Sequence, residues 1–256
     1  MNKNALITGA GNRIGAIIAL ELAANGYNIA VHYNNSQKNA KELCQKIIAM
    51  GKKAIALQAD LSVSEQRNKV LSSAAAKLGP INVLINNASI YQPDSATTIG
   101  EELWDKHFAI HAKAPMFLAR DFSNQLPKNS SGNIINMIDE RVLRIDPGYF
   151  SYNLSKSVLW TATKTLAQTL APNIRVNAIG PGPTIPHSRQ SQSQFENSIK
   201  TLPLKTSGSP EQIAKAIIFL LNNSSMTGQM LALDGGEHLQ WQGQNQGRTK
   251  ITPAKN

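Results

Sequence analysis

The amino-acid sequence predicts a three-layer α/β domain in which helices cover both faces of a doubly wound, parallel sheet of seven strands. Three observations lead there. Short aliphatic runs alternate with segments of helical apolar spacing along nearly the whole chain. A glycine-rich turn, Thr8-Gly9-Ala10-Gly11-Asn12-Arg13-Ile14-Gly15, joins the first run to the first helical segment. With 41% hydrophobic but only 5% aromatic residues, the 256-residue chain has the aliphatic material to bury a sheet, and at this length one domain suffices.

In order, the strands are expected at Ala5–Thr8, Asn28–His32, Ala54–Gln58, Val83–Asn87, Asn133–Ile138, Arg175–Ile179 and Met230–Leu233, all short runs rich in aliphatic residues. Helices are expected between them at Ile14–Asn25, Lys38–Met50, Ser64–Lys77, Glu101–Asn124, Phe150–Leu170 and Pro210–Leu221, where apolar residues recur at helical spacing. Right-handed crossovers then make the sheet parallel and Rossmann-like. The stretch 181–202, rich in Pro, Ser and Gln, breaks the rhythm and reads as a substrate lid with one short helix. Residues 1–241 thus form the domain, and 242–256, polar and aperiodic, read as a disordered tail.

A formal net charge of +10 raises nucleic acid as a partner. The excess is scattered, no aromatic residues interleave with it, and part lies in the tail at Arg248, Lys250 and Lys255, so no nucleic-acid partner is expected. A field that draws phosphorylated cofactors and acidic small molecules accounts for it. The single cysteine, Cys44, excludes an intramolecular disulfide and a cysteine metal cluster, which fits a reducing cytoplasm. His107, His187 and His238 are dispersed, so no metal site is expected. No apolar run approaches the length of a membrane span, and the N-terminus reads as strand, turn and helix.

The glycine turn places backbone N–H groups and a helix N-terminus where a pyrophosphate can sit. Strand two runs into His32-Tyr33-Asn34-Asn35-Ser36, with no carboxylate to accept the ribose hydroxyls that an NAD site would bind. Arg13 is placed to grip a second phosphate instead, which points to NADPH; a charge-assisted hydrogen bond of about 1.5–3 kcal/mol supports that preference. Asp60-Leu61 and Asn87-Ala88-Ser89 close strands three and four, at the carboxyl ends where such sheets bind ligands. Tyr152 and Lys156 stand four residues apart on one helical face, and the ammonium is expected to lower the pKa of the phenol.

The glycine turn and the Tyr-x-x-x-Lys group, in the right order over residues 4–241, resemble those of the short-chain dehydrogenase/reductase family. Two departures narrow the resemblance. Arg13 replaces the middle glycine of the turn, and Asp139 stands thirteen residues before Tyr152 where the family usually carries a serine. Both features are similar to the pteridine and dihydromonapterin reductases. The resemblance implies NADPH-dependent reduction of a dihydropterin, with Tyr152 donating a proton to the ring nitrogen, Asp139 relaying it and Lys156 holding the nicotinamide ribose. It also implies that Asp60 binds the adenine amino group, that Asn86-Asn87-Ala88 packs on the adenosine with Ser89 next to it at the cofactor, and that Pro181, Gly182 and Thr184 surround the carboxamide. Tyr91 would stack on the pterin, beside Arg13, Ser89, Asp139 and Tyr152. The implied assembly is a homotetramer paired through the Tyr152 helix. His111 replaces the family's usual asparagine and reads as a helix histidine with a satisfied ring. The alternatives are a 3-oxoacyl thioester reductase on the same fold and an NADP(H)-sensing protein without turnover.

Overall fold

The computed structural model describes residues 3–187 and 190–240. Seven strands form one parallel sheet in the order β3-β2-β1-β4-β5-β6-β7: β1 (Asn4–Ile7), β2 (Asn28–Tyr33), β3 (Ala54–Gln58), β4 (Val83–Asn86), β5 (Gly132–Met137), β6 (Ile174–Pro181) and β7 (Met230–Leu233). Each expected strand is present. The expected tail at 242–256 and the domain end at 241 lie outside the described residues.

The helices are α1 (Arg13–Ala24), α2 (Gln37–Ala49), α3 (Ser64–Arg67), α4 (Val70–Leu78), α5 (Glu101–Phe108), α6 (Ala114–Gln125), α7 (Phe150–Leu170), α8 (Gln192–Lys200) and α9 (Pro210–Asn222). Consecutive strand residues point to opposite faces, and both faces are covered. Ile7, Val31 and Ile135 pack with Ile18, Leu22 and Ile217 on one side, while Leu6, Leu84 and Ile134 pack with Leu71, Leu118 and Phe122 on the other. This is why the strands read as near-continuous aliphatic runs rather than as alternating ones.

Two expected helices are interrupted. The Ser64–Lys77 segment breaks after Arg67, whose buried guanidinium turns back to the Leu61 carbonyl (3.4 Å) and the Ser64 hydroxyl (3.1 Å). The Glu101–Asn124 segment widens into a π turn at Ala109–Lys113, where the Ala114 N–H reaches back to the Ala109 carbonyl. Pro115 follows at once; it has no N–H to continue the α register, and its ring clashes with the carbonyl four residues earlier. The lid segment holds α8, opened by a capping box in which Ser191 and Gln194 satisfy each other's backbone N–H groups.

Because every strand runs the same way, the chain leaves the sheet on one side after β1, β4, β5 and β6. Strand order reverses between β1 and β4, and the crevice at that reversal is where sheets of this kind bind ligands.

Candidate active site

The end of β1 is fastened to the end of β4 by side chains from both. Thr8 Oγ1 accepts from the N–H groups of Asn87 and Ala88 (2.9 Å each), and Asn87 Nδ2 donates to the carbonyls of Thr8 (2.8 Å) and Gly9 (3.1 Å). Two glycines of the turn are sterically required. Gly9 sits at φ +62° and a Cβ there would lie 2.9 Å from Ala88 Cα, while a Cβ on Gly15 would lie 2.6 Å from both Asn87 Nδ2 and the Gly9 carbonyl. The N-cap of α1, Asn12, makes no side-chain cap bond and the first turn carries no acid, so this helix end suits a phosphate.

A cleft of about 1000 Å³ opens above the sheet and adjoins a second arm of about 400 Å³. Gly9, Asn12, Gly15, His32, Asn34, Leu61 and Ala88 line the smaller arm; Tyr91, Asp139, Tyr152, Lys156, Pro181, Gly182 and Thr184 line the larger; Arg13, Ile14, Asn87 and Ser89 line both. The expected run His32–Ser36 needs correction. Tyr33 is buried in the core, and neither it nor Asn35, Ser36 or Gly11 lines the cleft. His32 is almost wholly buried: its Nδ1 accepts from the Gly9 N–H (3.1 Å) and its Nε2 meets the Ala59 carbonyl (3.1 Å), so it braces the turn from behind. Burial lowers its pKa to about 4, which keeps it neutral. Asp60 spends one carboxylate oxygen on Ser62, accepting from its N–H (2.8 Å) and hydroxyl (2.6 Å), as a turn cap does.

Arg13 occupies a left-handed conformation, φ +53°. That explains why the related turn carries glycine there, since an L side chain costs about 1–2 kcal/mol in this region. Its guanidinium does not stand free for a phosphate. It reaches across to the lid, donating to the carbonyls of Ile185 (3.2 Å) and Pro186 (3.1 and 3.2 Å).

Asp139 follows β5, and α7 brings Tyr152 and Lys156 against it. The Tyr152 hydroxyl donates to Asp139 Oδ2 at 2.6 Å, and Lys156 Nζ donates to the Met137 carbonyl at 2.8 Å. The expected lowering of the phenol pKa is overturned. Burial first, then the Asp139 charge and its hydrogen bond, hold Tyr152 well above its ordinary value, with Arg141 acting weakly the other way. Burial pulls Lys156 down to about 8. A protonated phenol facing the cleft is a proton donor at neutral pH, not a base.

His111 sits in the π turn with both ring nitrogens used. The Ile90 N–H donates to Nε2 (3.2 Å), so the ring proton is on Nδ1, which lies 2.9 Å from Ser155 Oγ; the Ser89 hydroxyl also meets Nε2 at 2.9 Å. Burial holds the ring well below its usual pKa. The imidazole thus ties the loop carrying Ser89 and Tyr91 to α7. His111→Ala orphans the Ile90 N–H and is expected to destabilise the fold by about 1–3 kcal/mol, read from urea melts; an unchanged midpoint would refute the tie. Arg141 and Tyr149 are among the cleft residues that sequence reasoning missed. Their only sequence signal is proximity, two residues after Asp139 and three before Tyr152. Among the described residues no group of His, Cys, Asp and Glu gathers as metal ligands, and no helix is long and apolar enough to cross a membrane.

Residues 9–238 match a family model described as enoyl-(acyl carrier protein) reductase. The chain belongs to the short-chain dehydrogenase/reductase family. It is 31% identical over 244 residues to the 3-oxoacyl-(acyl-carrier-protein) reductase of Staphylococcus epidermidis, covering 93% of this chain and all of that one. Among solved structures it is similar to the FolM alternative dihydrofolate reductase 1 of Brucella canis complexed with NADP, with TM-score 0.91 and 41% identity over 96% of this chain and 98% of that one. The Brucella suis protein of the same name, also with NADP, gives TM-score 0.88 and 42% identity over 93% and 96%.

Proposed function

We propose that this short-chain reductase uses NADPH to reduce a dihydropterin such as dihydromonapterin or dihydrobiopterin, and possesses activity on dihydrofolate. The observation that carries this reading is the carboxylate of Asp139 on the Tyr152 hydroxyl. A carboxylate cannot donate to a carbonyl oxygen, which is the task of the serine usual at this place. Once it has taken up a proton from solvent, it can pass that proton to the phenolate left when Tyr152 protonates a ring nitrogen. The NADP-bound neighbours named as alternative dihydrofolate reductases support the same substrate class.

The turn fits the cofactor: side chains are sterically barred at Gly9 and Gly15, and the α1 N-terminus is uncapped and free of acid. Gly9 to Gly15 would hold the pyrophosphate and Lys156 the nicotinamide ribose. Arg13 would grip phosphate after releasing the carbonyls of Ile185 and Pro186. NADPH, when bound, supplies the hydride. Tyr152 then supplies the proton. Two oxygens 2.6 Å apart cannot both be anionic, so as Tyr152 gives its proton away another must enter the pair on the Asp139 side. The rate is therefore expected to fall as pH rises and that second proton becomes scarce.

A 3-oxoacyl thioester reductase is the second reading, favoured by the Staphylococcus relative. The test is loss of NADPH absorbance with dihydrobiopterin or dihydromonapterin, set against acetoacetyl thioester. Consumption of the thioester alone would end the pterin reading, and NADPH binding without oxidation by either would favour a sensor. A homotetramer is part of the proposal: Leu154 and Val158 stand exposed on α7, as an apolar face awaiting a partner copy would.

A further inference from the structure

Arg141 lies on the 3-10 turn Glu140–Val142 that directly follows Asp139. Its backbone N–H donates to Asp139 Oδ1 at 3.0 Å, and its Nη1 lies 3.5 Å from the same oxygen. The other oxygen of that carboxylate, Oδ2, receives the Tyr152 hydroxyl. The two oxygens of Asp139 are thus held from opposite directions, and the carboxylate cannot rotate away from Tyr152 without breaking with Arg141. On its far side the guanidinium is 3.8 Å from Asp146 Oδ2.

The same guanidinium reaches an aromatic wall. Tyr91 and Tyr149 stack with centroids 4.3 Å apart and planes within 10°. The Arg141 guanidinium carbon lies 5.5 Å from each ring centroid, within cation–π reach of both. Backbone contacts keep the two rings together: the Phe150 N–H donates to the Asp94 carbonyl (3.2 Å), and the Ser151 N–H donates to the Asp94 carboxylate (3.0 Å). Tyr149 covers one face of Tyr91, and the His187 ring approaches Tyr91 at 5.7 Å with the planes at 61°. The Tyr152 ring meets Tyr91 edge-on at 5.0 Å, which sets the proton donor beside that wall.

We propose that Arg141 is a positioning residue that joins the Asp139–Tyr152 pair to the Tyr91–Tyr149 wall, so that a flat heterocycle stacked on Tyr91 presents its ring nitrogen to the Tyr152 hydroxyl. This rests on the dihydropterin reading and adds a specificity element to it. A planar ring system gains from a wall locked at one angle, whereas a flexible acyl chain does not.

The experiment uses the full chain with dihydrobiopterin and measures kcat, KM and NADPH affinity. Arg141→Met keeps the aliphatic stem and removes the fork; KM is expected to rise about tenfold and kcat to fall about tenfold, with NADPH affinity nearly unchanged. Arg141→Lys should recover part of kcat but not KM, because a compact ammonium can meet Asp139 without spanning both rings. Tyr149→Leu should raise KM alone, and combining it with Arg141→Met should add little further to KM, since both act through the same wall. Independent, multiplying KM effects would overturn the inference, as would an Arg141→Met enzyme with wild-type constants. If Arg141→Met does not fold, Arg141→Lys and Tyr149→Leu still separate KM from kcat. Normal wild-type turnover with unaffected variants refutes the inference alone; a wild type inert toward dihydropterins refutes the functional reading and the inference with it.

Discussion

Replacing Tyr152 with phenylalanine is expected to lower NADPH-dependent dihydropterin reduction by ~10²–10⁴-fold, the range that positioned proton donors supply. NADPH affinity should hardly move, because the lost atom is the hydroxyl that faces Asp139, and the ring keeps its edge contacts with Tyr91 (5.0 Å) and His111 (5.3 Å). Single-turnover kinetics on enzyme loaded with NADPH separates the two effects. The slow step should be chemistry in the variant, and its rate should no longer depend on the protonation of the Asp139–Tyr152 pair. A variant that keeps more than a tenth of wild-type turnover would show that another group delivers the proton. In the wild type the phenol is held protonated by burial and by the neighbouring carboxylate. That is favourable for donation only because the pair can accept a replacement proton in the same event.

This geometry shows which parts of the site are legible in the order of residues. Gly9, the run Asn12 to Gly15, Tyr152 and Lys156 are joined by short, fixed spacings on regular elements, and their places in the cleft follow from those spacings. Asp139 is legible for the same reason, at the exit of a strand whose apolar run ends there. Contacts between distant segments were not. Ser151 links His107 to Asp94 from 44 and 57 residues away, and nothing local announces either bond. The sign of the Tyr152 shift escaped because it depends on burial and on the Asp139 charge, which the Tyr-x-x-x-Lys spacing does not report; the Lys156 ammonium is turned to the Met137 carbonyl. Tyr33 is a third case. The end of strand two looked like a ribose site, but alternation along β2 turns this side chain into the core. The π turn at Ala109–Lys113 had a visible cause in Pro115, which also moves His111 to where it meets Ser89 and Ser155.

Lys156→Met is expected to abolish most turnover and yet to melt at a higher temperature than the wild type at pH 7 without ligand. The side chain is buried with one hydrogen bond, from Nζ to the Met137 carbonyl (2.8 Å), and burial lowers its pKa from 10.5 to about 8. Losing that charge-assisted bond costs about 1.5–3 kcal/mol, whereas an ammonium removed from water costs several, so the balance favours methionine. The linkage has a definite sign. Between pH 8 and 10.5 the unfolded chain holds the Lys156 proton while the folded chain has released it, so the contribution of Lys156 to stability should rise with pH across that window. Below pH 8 both states are protonated and the cost of the buried charge is constant. Tyr152 acts in the opposite direction above its ordinary value of 10, where the folded state keeps a proton that the unfolded state loses. Burial likewise raises the Cys44 thiol from 9.0 to about 11, which lowers stability with rising pH in both proteins. The informative quantity over pH 8 to 10 is therefore the wild-type profile minus that of Lys156→Met, which should rise. A variant that melts lower than the wild type at pH 7, or a wild-type profile that runs parallel to that of the variant over that range, would mean that the ammonium is better solvated than its burial indicates. If the rise is found, the lysine is kept at the expense of stability, as groups retained for chemistry commonly are.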